Sequence, residues 1–377
     1  MYAQPAALSI CPPAFSHDEV PWEHGGMQNG DSGLNRSGSA QVVGRLAPSP
    51  TGRMHLGNIY ACLAAWLGVR SSGASGVLRL RIEDIDGPRV VEGADRWIMD
   101  DLDWLGLDWD GPVVYQSRRG ADYDQALNVL QDQHLTDGEP LVYPCFCSRA
   151  DIRAASAPNE GDGFLVYPGT CRNLPVDVVA ERLDRGDRHS LRIAVPADSV
   201  GPDAICRFDD LVFGARSFNL PRDVGDVVIR RADGLVSYQL AVTVDDLAMG
   251  VNQIVRGRDL LRSTAIQTWI RSHLRMDAQP VQYAHLPLID GADGRRMSKR
   301  FGSPDMQTLR EQGWTARQVI GVCGWLLGLL DHPGPASAQE LLDCFTWKSL
   351  ACNHEDRRLD FEGPALAGTG SKGSKLD

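Results

Sequence analysis

The sequence predicts an α/β protein in which one domain is interrupted by an inserted subdomain. Short β-type runs alternate with helical runs on both sides of the middle of the chain, which is typical of the α/β class. Between about residues 124 and 245 the alternation stops, and short strand-like runs surround a group of cysteines. An apolar fraction of 43% over 377 residues supplies the core of one large or two modest domains.

Hydrophobic periodicity predicts the elements of each half. The first half contains a strand at 42–46, a loop at 48–53, a helix at 57–69, a second strand at 77–82 and a second helix at 94–105. In the second helix the residues at helical spacing are Trp97, Ile98, Leu102 and Leu105. The insert includes a strand at 191–195. The second half contains a helix at 263–274, a strand at 283–289, a basic loop at 291–302 and two apolar helices at 315–330 and 337–344.

The two ends of the chain have a different composition from the rest. Residues 1–40 are rich in Pro, Gly and Ser without a hydrophobic period, and we expect a disordered extension. Residues 363–377 resemble a linker and are expected to be a disordered tail. Between these ends we expect the first half of the interrupted α/β domain at 41–123, the insert at 124–245, the second half of the domain at 246–305 and a short helical region at 306–362.

Composition and charge exclude several classes of protein. No run approaches eighteen apolar residues and no basic stretch precedes an apolar segment at the N-terminus, so we expect a cytoplasmic protein without membrane contact. A net charge of −11 disfavours a surface covered with nucleic-acid-binding charge. Residues 251–300, however, carry nine Arg or Lys against four Asp, which suits a confined anionic ligand or RNA held along one stripe.

The first strand, loop and helix carry a candidate phosphate site in the stretch 44–58, GRLAPSPTGRMHLGN. His55 stands where the helix begins, so its ring and the free helical N–H groups can face one anion. Gly57 allows a nucleotide to approach the backbone closely. A tight connection without a ligand is the alternative.

A second candidate is the basic loop at 294–302, GRRMSKRFG, with four cations in six residues. Such a loop can close over a triphosphate and neutralise the charge that develops on it. Taken alone, a solvated basic loop is the more usual interpretation.

Together these segments resemble the paired signatures of class I aminoacyl-tRNA synthetases. The run 55–58, HLGN, looks like the HIGH signature, and 296–300, RMSKR, looks like KMSKS. The stretches RLAPSPTG at 45–52, LRIEDID at 80–86 and IVRGRDL at 254–260 are similar to the glutamyl-tRNA synthetase core. Asn58, Arg296 and Arg300 depart from the signatures but keep a hydrogen-bond donor or a charge.

The resemblance implies a Rossmann-like catalytic domain that joins glutamate to the α-phosphate of ATP, with Mg, and passes the acyl group to RNA. It implies catalytic roles for His55 and Lys299. The implied ATP site consists of Pro48, His55, Gly57, Asn58, Arg296, Ser298 and Lys299.

Glutamate has two carboxylates and one ammonium, so its pocket needs fixed cations and one anion. Arg45 and Arg256 supply the cations and Glu83 the anion. Each residue also has a structural alternative, for example a core position for Tyr238 or a strand-end cap for Glu83. The glutamate site implied by the resemblance consists of Arg45, Leu46, Ala47, Pro48, Ser49, Glu83, Tyr238 and Arg256.

Three cysteines in the insert predict a structural zinc site. Cys145 and Cys147 form a Cys-x-Cys pair, and Cys171 follows. Thiolates suit zinc, which takes a fourth ligand, and chemistry alone nominates His189. The pattern with Tyr167 four residues before Cys171 resembles the glutamyl-queuosine tRNA(Asp) synthetases, which implies that Tyr167 is the fourth ligand. Unliganded thiols are the alternative.

The chain ends 78 residues after Lys299, which is too short for the anticodon-binding region of a full glutamyl-tRNA synthetase. We therefore expect no anticodon-binding domain. The glutamyl-queuosine enzymes have this architecture and attach glutamate to queuosine in tRNA(Asp). The expected partners are ATP, L-glutamate and tRNA(Asp) bearing queuosine, bound by a monomer. Alternatives are 3′-end charging of tRNA, a non-catalytic tRNA-binding paralogue, and nucleotidyl transfer to a small acceptor.

Overall fold

A computed structural model describes residues 41–155, 164–274, 279–291 and 304–359 of the chain. The predicted extension at 1–40, the predicted tail and most of the basic loop, including Arg296, Ser298 and Lys299, lie outside these ranges. The predicted domain boundaries stay predictions.

Helices and strands alternate along the described chain. The helices are α1 Leu56–Arg70, α2 Ala94–Leu105, α3 Gly120–Gln131, α4 Arg149–Ala155, α5 Val176–Asp184, α6 Tyr238–Ala248, α7 Leu261–Leu274, α8 Met306–Glu311, α9 Ala316–Leu326, α10 Ala338–Leu342 and α11 Trp347–Ala351. The strands are β1 Val43–Leu46, β2 Val77–Ile82, β3 Val114–Tyr115, β4 Val142–Cys145, β5 Ser190–Ile193, β6 Ile205–Asp210, β7 Gly214–Asn219, β8 Val227–Arg230, β9 Gln253–Gly257, β10 Gln282–Leu286, β11 Ile289–Gly291 and β12 Arg357–Leu359.

Two parallel sheets meet side by side at β1 and β9. The first has the order β1-β2-β3, and the second has the order β7-β6-β10-β9 with β7 antiparallel. The N–H of Asn252 donates to the Val43 carbonyl at 2.9 Å, and the Val43 N–H donates to the Asn252 side chain at 2.8 Å. The carboxyl ends of β1, β2, β9 and β10 therefore share one edge, where open α/β sheets bind ligands.

Helix α1 packs against both sheets and is apolar on most of its surface because it is buried on most sides. Its neighbours approach it closely: a Cβ at Gly44 of β1 would lie 2.4 Å from Val69 Cγ2, and a Cβ at Gly68 would lie 2.4 Å from the Trp347 ring of α11 and 2.6 Å from Gln253 Oε1 of β9. The predicted helix at 57–69 is confirmed, as is the predicted helix at 94–105.

Four elements differ in part from their predictions. Trp97 of α2 is 38% exposed and packs under the Arg53 guanidinium, while buried Asp101 takes a core position. The strand predicted at 283–289 is two strands, β10 and β11, separated at Pro287, which has no N–H to continue a ladder. The helices predicted at 315–330 and 337–344 are shorter, as α9 and α10.

The middle of the chain contributes to two sheets. Strands β4, β5 and β8 form an antiparallel sheet with its own core, which includes Leu141, Ile193 and Ile229. Strands β6 and β7 fall in the range predicted for the insert, yet β6 pairs with β10 through Tyr283 and Asp210. The insert sequence therefore also extends the second parallel sheet.

Among the described helices, none has both the length and the apolar character needed to cross a membrane.

Candidate active site

A cleft of about 800 Å³ opens at the shared carboxyl edge of the strands. Every predicted glutamate-site or ATP-site residue in the described ranges lines it: Arg45, Leu46, Ala47, Pro48, Ser49, His55, Gly57, Asn58, Glu83, Tyr238 and Arg256. The structure thus brings distant parts of the chain together: Arg45 contacts the Val255 carbonyl, which is 210 positions away in the sequence.

The turn before α1 holds His55 at the cleft. Asn58 accepts a hydrogen bond from the His55 backbone N–H at 3.1 Å, so the asparagine of the HLGN run caps its own helix. The Met306 N–H donates to the Met54 carbonyl at 2.9 Å and fixes the other side of the turn. A Cβ added at Gly57 would meet no atom within 4 Å, so packing does not require glycine there and the space above it is open.

One side of the cleft is built around a fully buried guanidinium. Arg81 donates to Asp246 at 2.6 Å and to Glu83 at 3.0 Å, and its Nε lies 3.7 Å from Asp245. Arg45 shares Asp246, at 3.4 Å, and donates to the Val255 carbonyl at 3.1 Å. Glu83 is thereby held at the cleft wall by an arginine behind it.

The ion pair of Arg81 and Asp246 keeps its charges. Burial alone would raise the pKa of Asp246, but Arg81 and Arg45 outweigh burial and lower that pKa. Burial would lower the pKa of Arg81, but Asp246, Glu83 and Asp245 raise it. Burial raises the pKa of Glu83 despite the opposing effect of Arg81. A cation beside Glu83 would therefore stabilise its ionised form.

The opposite side of the cleft holds a second buried guanidinium with neutral partners. Arg256 is 6% exposed and donates to Thr264 Oγ1 at 2.6 Å, Gln267 Oε1 at 2.7 Å and His285 Nε2 at 3.2 Å. Within the described ranges no carboxylate contacts Arg256 directly. Its charge therefore remains available to an anion in the cleft.

His285 links Arg256 to a buried carboxylate. Its Nδ1 lies 2.6 Å from Asp210 Oδ2, and its backbone N–H donates to the same carboxylate at 3.0 Å. Because Nε2 accepts from Arg256, the proton is on Nδ1 and points to Asp210. Burial lowers the pKa of His285, and Arg256 adds to this effect against Asp210. A neutral ring thus positions Arg256.

Tyr238 stands at the start of α6, one residue after the cap Ser237. It is 42% exposed and lines the cleft, so it is not a core tyrosine. Its ring faces the same space as Glu83 and Arg256.

The outer rim of the cleft is fixed by the last described segment. Asp356 accepts from Arg258 Nε at 2.6 Å and from the Leu288 N–H at 2.8 Å. Immediately after it, β12 pairs in parallel with β11. Leu288 and Ile289, which line the cleft, are therefore held by residues far along the chain.

Away from the cleft, three thiols cluster at the end of β4 and in the segments that follow it. The Sγ atoms of Cys145, Cys147 and Cys171 all lie within 4.8 Å of one another, and this group could hold a metal ion. Sulfur ligands about 2.3 Å from zinc lie about 3.8 Å apart in a tetrahedron, so the spacing fits. The Tyr167 hydroxyl lies 3.4 Å from Cys145 Sγ and 3.5 Å from Cys147 Sγ.

The surroundings orient Tyr167 toward the thiols. The Cys171 N–H donates to its hydroxyl oxygen at 2.9 Å, and the Arg192 guanidinium lies 3.7 Å over its ring. His189, the ligand that chemistry alone nominated, packs its ring against Phe146 and directs Nδ1 to the Asp187 carbonyl at 3.0 Å. The geometry therefore favours Tyr167 over His189 as the neighbour of the three sulfurs.

Comparison with known proteins identifies the family. The model for "tRNA synthetases class I (E and Q), catalytic domain" matches residues 41–332. The chain belongs to this family. The curated relatives include proteins named Glutamyl-Q tRNA(Asp) synthetase. The one from Nitratidesulfovibrio vulgaris is 42% identical over 319 residues, 82% of this chain and 93% of that protein. The one from Geobacter sulfurreducens is 47% identical over 261 residues, 69% and 76% of the two chains.

A solved structure supports the same class I fold. The glutamate tRNA ligase of Elizabethkingia meningosepticum, solved in complex with its amino acid, matches with a TM-score of 0.68 and 27% identity. The match covers 84% of this chain and 67% of that one. The predicted class I catalytic fold is thus confirmed.

Sequence reasoning missed the residues behind the lining of this class I cleft: Arg81, Asp245, Asp246, Asp210, Thr264, Gln267 and His285. Some left a signal in the sequence. Arg81 is one of two arginines in the strand VLRLRI, and His285 stands in the run YAHLPLI. A charged or titratable residue at a buried strand position indicates a partner, but the sequence does not say which one.

Proposed function

We propose that the chain activates L-glutamate with ATP and transfers the glutamyl group to the queuosine base in the anticodon of tRNA(Asp). The cleft carries this proposal, because it presents two buried guanidiniums and one carboxylate around a single space. This charge pattern is the complement of free glutamate. The curated relatives named Glutamyl-Q tRNA(Asp) synthetase support the choice of acceptor.

In this proposal Arg256 and Arg45 bind the two carboxylates of glutamate, and Glu83 binds its ammonium. Arg256 suits a carboxylate because its present partners are neutral. Tyr238 closes the pocket between them. The turn formed by Leu46, Ala47, Pro48 and Ser49 supplies the floor from the end of β1.

ATP would bind along the start of α1. The helical N–H groups and His55 would face its phosphates, and the open space above Gly57 would admit the nucleotide. Pro48 and Asn58 complete this wall, and Mg would accompany the phosphates. Arg296, Ser298 and Lys299 would cover the phosphates from the basic loop, and Lys299 with His55 would stabilise the developing charge.

The proposed reaction has two steps. A glutamate carboxylate oxygen attacks the α-phosphorus of ATP, and pyrophosphate leaves. A hydroxyl of the acceptor then attacks the acyl carbon, and AMP leaves as the hydroxyl proton departs. The enzyme contributes positioning and charge stabilisation at both steps.

A second candidate is charging of a tRNA 3′ end. Solved structures entitled glutamate tRNA ligase or glutamate-tRNA synthetase share this fold, which favours that alternative over a non-catalytic role. Both candidates predict formation of glutamyl-adenylate, so they must be separated at the transfer step.

The deciding experiment is transfer of labelled glutamate, with ATP, to tRNA from cells that contain queuosine and from cells unable to make it. Label only in the queuosine-containing tRNA is the expected result. Equal label in both pools would replace the proposal with 3′ charging. As a control, Lys299→Ala should slow glutamate-dependent pyrophosphate exchange, because the activation free energy should rise by about 2.7 to 4 kcal/mol. Near-normal exchange would remove the role given to Lys299.

We propose zinc at the three-cysteine group, held by Cys145, Cys147, Cys171 and Tyr167. Four protein ligands leave no open position, so the ion would be structural. Metal analysis of purified protein should give one zinc per chain, and Cys147→Ser should release most of it. The matched control Cys206→Ser changes a buried thiol outside the group and should keep the zinc. A wild-type protein without metal would refute this proposal.

A cytoplasmic location and a monomeric state stay predictions from the sequence. Size-exclusion chromatography with light scattering would test the latter.

A further inference from the structure

A second cavity, of about 280 Å³, lies next to the cleft, and we call it the side pocket. Its apolar walls include Ile85, Leu127 and Val236, with the ring of Tyr123 between them. None of the roles proposed above uses it. Asp124 and Arg230 also line it, 3.4 Å apart, and their side chains are 64% and 40% exposed.

The side pocket and the cleft share two chain segments. Glu83 lines the cleft and Ile85 lines the side pocket, and the same relation holds for Tyr238 and Val236. Two residues of chain span at most about 7 Å. A group bound in the side pocket is therefore a near neighbour of a group bound at Glu83 and Tyr238.

The floor of the side pocket is fixed by the buried cluster behind the cleft. Tyr123 and Gln116 both line the pocket, and they donate to Asp245 at 3.1 Å and 2.6 Å. Asp245 also faces Arg81, which holds Glu83. The floor is thus built in advance of any ligand.

The chemistry of the side pocket fits one planar base. Apolar walls with one aromatic ring accept the faces of a bicyclic ring. A carboxylate accepts from two adjacent N–H donors, such as those on the Watson–Crick edge of guanine, and a guanidinium donates to the neighbouring carbonyl oxygen. Asp124 and Arg230 offer this pair of groups at one end of the pocket.

We propose that the side pocket binds the guanine-type base of the acceptor nucleotide and thereby brings its hydroxyls to the cleft. This inference rests on the proposed function and names the residues that read the acceptor. Queuosine keeps the Watson–Crick edge of guanine and carries its diol ring on the opposite edge. With the first edge at Asp124 and Arg230, the diol points away from them, toward the adenylate.

The test uses the full chain and queuosine-bearing tRNA(Asp). Asp124→Asn removes one acceptor, and Val236→Trp fills the pocket from a partly exposed wall. Each should raise the KM for this tRNA about tenfold or more and leave glutamate-dependent pyrophosphate exchange within about twofold of wild type. The matched control Glu181→Gln removes an exposed carboxylate paired with Arg185 at 3.1 Å and should change neither.

The direction in which the KM for the tRNA changes distinguishes recognition of the base from contact with the RNA backbone. If phosphates alone passed this surface, loss of the Asp124 charge would strengthen RNA binding and lower the KM, and that result would overturn the inference. Wild-type KM in both variants would overturn it as well. Failure of the wild type to label this tRNA would instead overturn the proposed function. Asp124 is exposed, so Asp124→Asn keeps the test informative if Val236→Trp does not fold.

Discussion

The two sides of the cleft hold buried arginines in opposite ways. On one side Arg81 meets three carboxylates, Glu83, Asp245 and Asp246, and none of its charge remains for a ligand. On the other side Arg256 meets a hydroxyl, an amide and a neutral imidazole. Burial is similar at the two sites, so the partners determine the role.

The difference separates a structural cation from a binding cation. A buried charge is costly unless it is paired, and Arg81 is paired within the protein. Arg256 is hydrogen-bonded but lacks a direct counter-ion among the described residues, so in the proposed function an anionic ligand would complete its environment. Three substitutions or conditions test this distinction.

The largest expected effect follows removal of the structural cation. Arg81→Met removes the closest cation of buried Asp246, which then keeps only Arg45 at 3.4 Å, and should lower the free energy of unfolding by about 3 to 5 kcal/mol. Chemical denaturation measures it. Arg79→Met on the same strand is the matched control, since Arg79 donates to the Asp110 carbonyl at 3.2 Å. Its cost should be near 1 kcal/mol. Equal losses of unfolding free energy in the two variants would contradict the structural role given to Arg81.

The next effect concerns the binding cation. Arg256→Gln should lower kcat/KM for glutamate in pyrophosphate exchange about thirtyfold or more, because a carboxylate loses a buried partner. The KM for ATP should stay near wild type, and the loss of stability should be smaller than for Arg81→Met. Unchanged glutamate kinetics would show that the neutral partners of Arg256 have another purpose.

The smallest effect is a pH dependence at His285. The pKa of the folded ring is lowered, so near and below pH 6.5 the unfolded chain binds more protons than the folded one. Stability is therefore present above that pH and is lost as the pH falls, by up to about 1.4 kcal/mol per pH unit. His285→Gln keeps an acceptor for Arg256 and should show a shallower decline in denaturation curves between pH 7.5 and 5.5. Parallel declines would contradict the neutral state assigned to the folded ring.

The predicted lining of the cleft needed only motifs that are continuous in sequence. Glu83 and Arg256 stand in such stretches, so their residue types already indicated a glutamate pocket. Their supports could not be predicted because they join distant positions. Arg81 and Asp246 are 165 residues apart, and His285 and Asp210 are 75 residues apart. Only the folded sheet brings these pairs together.

The sheet position of strands β6 and β7 was also not predicted, because it depends on a contact between residues that are distant in sequence. The hairpin of β6 and β7 carries polar side chains, so its pattern did not assign it to a sheet. Its place depends on the pairing of Asp210 with Tyr283 in β10. The three-cysteine group is the opposite case, because Cys145, Cys147 and Cys171 are close in sequence and already indicated one site, to which the family resemblance added Tyr167.

The contacts of Asp356 with the cleft rim form late during protein synthesis, because Asp356 follows its partners in the chain. Arg258 and Asp356 are 98 residues apart, and a ribosome needs roughly 5 to 20 s to translate that distance. During this interval the strands that carry Arg45, Glu83 and Arg256 have already been made, but Arg258 and Leu288 lack their partner. A nascent chain can therefore assemble the floor of the cleft before its rim.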